Sequence, residues 1–104
     1  MYLKIEDDGG LVLEEIDDFG RFHIAAAPER IAGEAASPGF RRIAEAAGEG
    51  HFWLKADAIV ELSAKAGDEA WRSAFWNMLA KAEPYGFADV QGRRLKAHVL
   101  RQEK

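Results

Sequence analysis

Residues 68–100, DEAWRSAFWNMLAKAEPYGFADVQGRRLKAHVL, place three large aromatics, Trp71, Phe75 and Trp76, within six positions and then run into a basic hairpin. At 3.6 residues per turn, Trp71, Phe75, Met78 and Ala82 share one face, the stripe by which a helix buries itself. Trp76 instead falls among Glu69, Arg72, Ser73, Ala80 and Glu83 on the polar face. Its ring therefore needs a partner outside that stripe: the N-terminal sheet, a second subunit or another ligand. Asp68 starts this helix and Pro84, which cannot continue it, ends it. Residues 85–90 leave as a strand, Gln91 and Gly92 make a tight turn, and 93–100 return.

Working back from Asp68, Gly67 stops a helix over about 57–66, with Ile59, Leu62 and Ala66 inward and Glu61 and Lys65 outward. The run HFWLK at 51–55 is too short for a helix and reads as a strand. Ser37 is a helix cap and Pro38 takes the first helical position. A stripe of Phe40, Ile43, Ala44 and Ala47 predicts a helix over 38–47, with Gly48 as its stop. A short helix is expected from Pro28 to about Ala35, where Ile31 and Ala35 stand four apart.

In the first third the period changes to two. Residues 2–6, 11–16 and 21–27 alternate, and the turns DDGG and DDFG separate them. These features predict an α+β fold: an N-terminal three-stranded antiparallel meander, then helices and a C-terminal β-hairpin, in one domain over 1–104. The order from Ser37 is helix, short strand, helix, tight turn, longer helix, hairpin. In that order residues 37–100 resemble a winged helix, which implies that the third helix reads DNA and the hairpin is the wing. The chemistry of the third helix opposes this. Its outer face offers Arg72, Asn77 and Lys81 diluted by Glu69, Glu83 and Trp76, where base edges and phosphates call for Arg, Lys, Asn or Gln.

With 104 residues, 48% of them hydrophobic, the chain can bury one core. It has no cysteine, so neither disulfides nor thiolate chemistry is available. No apolar run approaches a membrane span, and the acidic start MYLKIEDDGG is unlike a secretory leader. A cytoplasmic protein without a membrane partner is expected. The net charge of −4 is unevenly spread: residues 1–36 carry nine acids against three bases, or −6, leaving +2 for the remainder. Positive charge gathers in Arg93, Arg94 and Lys96, a handle for an acidic partner.

Catalytic signals are sparse. His23, His51 and His98 all lie on expected strands, and His51 would meet His98 if strand 51–55 pairs with the last strand. A metal would then need a third ligand, and no HxH or HExxH spacing supplies one. The Asp7–Asp8 and Asp17–Asp18 runs sit in turns, where aspartate bonds the local backbone, and they lack calcium-loop spacing. No glycine-rich phosphate loop or cofactor motif is present, and Ser37 and Ser63 have no base at a readable distance. We therefore expect no catalytic, metal or cofactor site. The chain reads as a non-enzymatic protein-interaction or regulatory module, with a homodimer or another protein as partner. Its binding positions are expected at Trp76, Arg72, Arg93, Arg94 and Lys96, where Trp and Arg have the composition of interface anchors. The alternatives are a nucleic-acid-binding winged-helix-like protein, disfavoured by an isoelectric point near 5.3, and an enzyme with an unannounced small-molecule pocket.

Overall fold

The last strand organises the molecule. A computed structural model describes residues 1–20, 22–27, 31, 37–48 and 50–101, with Arg101 described in its backbone alone. Strands β1 (Tyr2–Ile5), β2 (Leu11–Glu14), β3 (His23–Ala26), β4 (Ala44–Gly48), β5 (His51–Lys55), β6 (Ala88–Asp89) and β7 (Arg94–Arg101) join in one mixed sheet of order β2-β1-β3-β7-β5-β4, with β6 also on β7. Helices α1 (Pro38–Ile43), α2 (Ala56–Leu62) and α3 (Glu69–Ala82) complete the fold.

The expected antiparallel meander does not form. β1 pairs antiparallel with β2, but β3 lies on the other side of β1, parallel to it, and is parallel to β7 in turn. The reason lies in the connection, which is drawn away from a tight turn. The Trp71 indole N–H donates to the Ile16 carbonyl at 2.7 Å, the Phe19 ring lies 5.9 Å from that of Trp71, and the Met1 nitrogen donates to the Asp18 carbonyl. Held over α3, the chain re-enters the sheet beyond β1 in the same direction. The alternation of Ile24 and Ala26 is as expected, since both are buried with Leu3 and Ile5 on the face that meets the helices.

The caps at Ser37 and Asp68 are where local chemistry puts them, whereas α2 starts at Ala56 without a side-chain cap and ends at Leu62, short of the expected stop at Gly67. Ser37 Oγ accepts from the Phe40 N–H, and Asp68 Oδ1 accepts from that of Trp71. In α3 the fully packed residues are Trp71, Phe75 and Leu79, four apart, while Met78 and Ala82 border the core. The helix expected over 38–47 is shorter. It ends at Ile43, and Ala44–Gly48 turns into an edge strand because β5 offers a complete antiparallel partner. Gly48, at φ +127°, serves a bulge in that pairing and not a helix stop. The helix expected from Pro28 lies outside the described residues, apart from Ile31.

The winged-helix resemblance also fails. A C-terminal hairpin exists, but its second strand, β7, is flanked by β3 and β5 and sits in the middle of the sheet, where a wing would stand free. Its tip folds back: Arg93, at φ +54°, bonds the carboxylate of Asp57 on α2, and its carbonyl accepts from the Ala56 N–H at 2.9 Å.

Candidate binding face

The five positions expected to bind a partner separate into two groups. Consecutive residues of a strand point to opposite faces, so Arg93, at the turn, and Arg94, on β7, diverge. Arg93 closes over Trp76, its guanidinium carbon 4.5 Å from the ring centroid, while Trp76 meets Phe75 edge-on at 5.5 Å. The same guanidinium donates to Asp57, from Nε at 2.6 Å and from Nη2. That bond, with the charges of Arg93 and Arg72, holds the Asp57 carboxyl below the usual carboxylate range, and it raises Arg93 further. Trp76 thus meets the chain's own hairpin turn, an internal clamp between α2, α3 and β7.

Arg94 and Lys96 belong to the opposite, open face. Strand register sets Lys96 beside Trp53 of β5, and Glu45 of β4 on its other side. The Arg94 guanidinium lies 4.3 Å and the Lys96 ammonium 5.6 Å from the Trp53 ring centroid, cation–π distances. Arg94 Nε also donates to Asp89 at 3.3 Å. A shallow depression of about 250 Å³ beside Trp53 gathers Arg41 and Arg42 from the end of α1 with Lys55 and Arg94. Among the described residues, five cations therefore gather around Trp53 with two carboxylates, Glu45 and Asp89, a local +3. The other residues of this −4 chain sum to −7. Arg41, Arg42, Lys55 and Trp53 escape sequence reasoning because only tertiary pairing assembles them. The sequence offers only a Trp in one short strand and alternating basic residues in the last; their pairing belongs to the fold.

A row of rings crosses the same face. Register aligns Glu14, Tyr2, His23, His98 and His51 over β2, β1, β3, β7 and β5. Tyr2 stacks on His23 at 4.9 Å, and His98 lies 6.5 Å from His23 and 6.0 Å from His51. The approach of His51 to His98 follows from the pairing of their strands. Partial burial, then the neighbouring His98, pushes His23 below its ordinary 6.5. Among the described residues no three His, Cys, Asp or Glu side chains converge to hold a metal.

No known protein family, curated protein or solved structure matches the chain. The chemistry of this face therefore carries the functional reading alone. Among the described residues no helix is long and apolar enough to cross a membrane.

Proposed function

We propose that this chain is a non-enzymatic interaction module of the cytoplasm that binds an acidic segment of a partner protein at the cationic end of its sheet. The observation that carries the reading is the +3 cluster around Trp53 in a chain otherwise strongly negative. Short acidic peptides match a local cluster, whereas a polyanion extending past it meets repulsion from the other residues. Both cations stacked on Trp53 also occupy space where a base would stack, which disfavours single-stranded nucleic acid. Exposed ion pairs contribute only about 0.2–1 kcal/mol each, so the complex is weak and salt-sensitive.

The test is fluorescence anisotropy with labelled hexaglutamate at about 0.02 M and about 0.2 M salt, where screening differs strongly. Binding at low salt that weakens at least about tenfold in the Arg42→Glu/Lys55→Glu double variant supports the proposal. Absence of binding up to about 1 mM peptide, the weak end of measurable affinity, or equal binding by the variant, refutes it. A hexathymidylate arm separates the classes: tighter binding of the oligonucleotide would replace the acidic protein by nucleic acid.

A further inference from the structure

A second, larger depression of about 1000 Å³ opens where β7 changes neighbours on one edge. β6 reaches β7 only at Arg94 and Leu95, and β3 begins opposite His98. The three steps between Leu95 and His98 span about 10 Å at 3.3–3.4 Å per residue. In that gap the Lys96 N–H bonds the Phe87 carbonyl at 2.8 Å, but neither strand fills it. The lining consequently mixes both faces of the sheet. Phe19, Phe22, Met78 and Phe87 supply apolar surface, and His23 and His98 stand at one margin. Phe87 is 48% and Leu100 46% exposed, so large apolar side chains are left at the mouth. The volume lies at the upper end of the range for small-molecule pockets, about 300–1,000 Å³.

The charges decide the ligand. Asp18 already has partners: Oδ1 accepts from the Gly20 N–H at 3.0 Å, and Oδ2 lies 4.0 Å from the Met1 ammonium. Among the described residues Glu15 is the other acid of the lining, against Lys81, Lys96 and the two histidines, and the Lys96 ammonium is turned toward Trp53. The 6.5 Å between the His23 and His98 centroids leaves room for one anionic group, with charge-assisted hydrogen bonds of about 2.7–2.9 Å to each ring.

We propose that this cleft binds a small amphipathic carboxylate, its chain against Phe19, Phe22, Met78 and Phe87 and its carboxylate between His23 and His98. Binding then draws a proton onto the histidine pair. The groups that face the pair are Tyr2 of β1, Glu14 of β2, Glu15 and the Met1 amine beside His23, and Lys96 and His51 beside His98. Among these the bound carboxylate is the added negative charge that favours imidazolium, so affinity rises as pH falls, by up to about tenfold per pH unit for one linked proton.

Decanoate and uncharged decanol are the probes, titrated by calorimetry and by amide NMR at about pH 6 and about pH 8, on either side of the histidine range. The expected result is amide shifts at Gly20, His23, Ala88 and His98. Decanoate should bind at least about tenfold tighter than decanol at the lower pH, with most of that advantage lost at the higher. His98→Gln, at an exposed side chain, should remove the advantage of decanoate over decanol at the lower pH. Phe87→Ser should weaken both ligands. Shifts confined elsewhere, equal affinity for both probes at both pH values, or no binding of either overturns the proposal. His23→Gln, read in the same way, covers the case of an unfolded His98 variant.

Discussion

Ser37 offers the sharpest quantitative test of how the two ends of the fold are tied together. Its side chain is 1% exposed and acts twice: Oγ accepts from the Phe40 N–H at 3.2 Å, capping α1, and donates to the Gly9 carbonyl at the β1–β2 turn. Replacing Ser37 by Ala removes the cap, about 1 kcal/mol, and leaves the Gly9 carbonyl without that donor. Gly9 is half-buried and water can partly replace the hydroxyl, so a further loss of about 1 kcal/mol, the low end for an orphaned acceptor, is appropriate. The sum of about 2 kcal/mol corresponds to a fall in Tm of about 8–16 °C for a domain of this size. Ser37→Gly separates the contributions, because glycine at a cap costs only a few tenths of a kcal/mol while the hydroxyl donor is still lost. Its expected loss, about 1.3 kcal/mol, is about two-thirds that of the alanine variant. Urea denaturation followed by circular dichroism, with unchanged m-value, is the assay. An alanine variant within about 0.5 kcal/mol of the parent refutes the double role, and a glycine variant as stable as the parent refutes the bridge to Gly9.

Trp71→Phe keeps the ring packing and removes the indole N–H from the Ile16 carbonyl; a loss of about 1 kcal/mol in urea denaturation is expected, and none would show that the β2–β3 connection is held by other contacts. Asp57 has a carboxyl held below its ordinary 3.8 in the folded state, so the unfolded state takes up protons first on acidification. The stabilising clamp is complete above that value and lost as pH falls through the lower, folded one; the stability difference between the parent and Asp57→Asn should disappear there. His23 also titrates below its ordinary 6.5, with burial of the imidazole as the main cause. The unfolded state therefore gains the proton first, and the parent should lose stability relative to His23→Gln as pH falls through 6.5; a histidine NMR midpoint above 6.5 would contradict this. At Gly92 an added methyl would collide with the Asp89 carboxylate, which accepts from the Gly92 N–H at 2.9 Å and pairs with Arg94. Gly92→Ala is expected to cost about 1 kcal/mol and to change tryptophan emission through Trp53.

Features that depend on a few neighbouring residues are legible in the chain. The caps at Ser37 and Asp68, the turn at Gln91–Gly92 and the stripe through Trp71 and Phe75 are set within one or two turns of backbone. Pairing is different. The alternation of residues 22–26 is identical whether β3 lies beside β2 or beyond β1, and the contacts that choose, Trp71 to Ile16 and Phe19, span some fifty residues. Ala44–Gly48 is rich in alanine and continues a helical stripe, so only the partner strand β5 reveals it as a strand. The binding face is legible to the same extent. Arg94 and Lys96 share a face by alternation, whereas Trp53, Arg42 and Lys55 reach them through register and the end of α1. Trp76 was conspicuous in the sequence, and its partner Arg93 lies seventeen residues on, brought back by a left-handed turn residue.

The position of β7 sets a timetable for synthesis. Among the described strands β3 and β5 are joined through β7 alone, so on the ribosome neither half of the sheet has its neighbour until residues 94–101 leave the exit tunnel. Until then the nascent chain carries two unpaired edges and an apolar layer formed by Leu3, Ile24 and Leu54, surfaces that chaperones hold and that aggregate when unprotected. The emergence of the hairpin that carries β7 is therefore the step that closes the sheet, and a stall just before Arg94 would leave its two half-sheets unjoined.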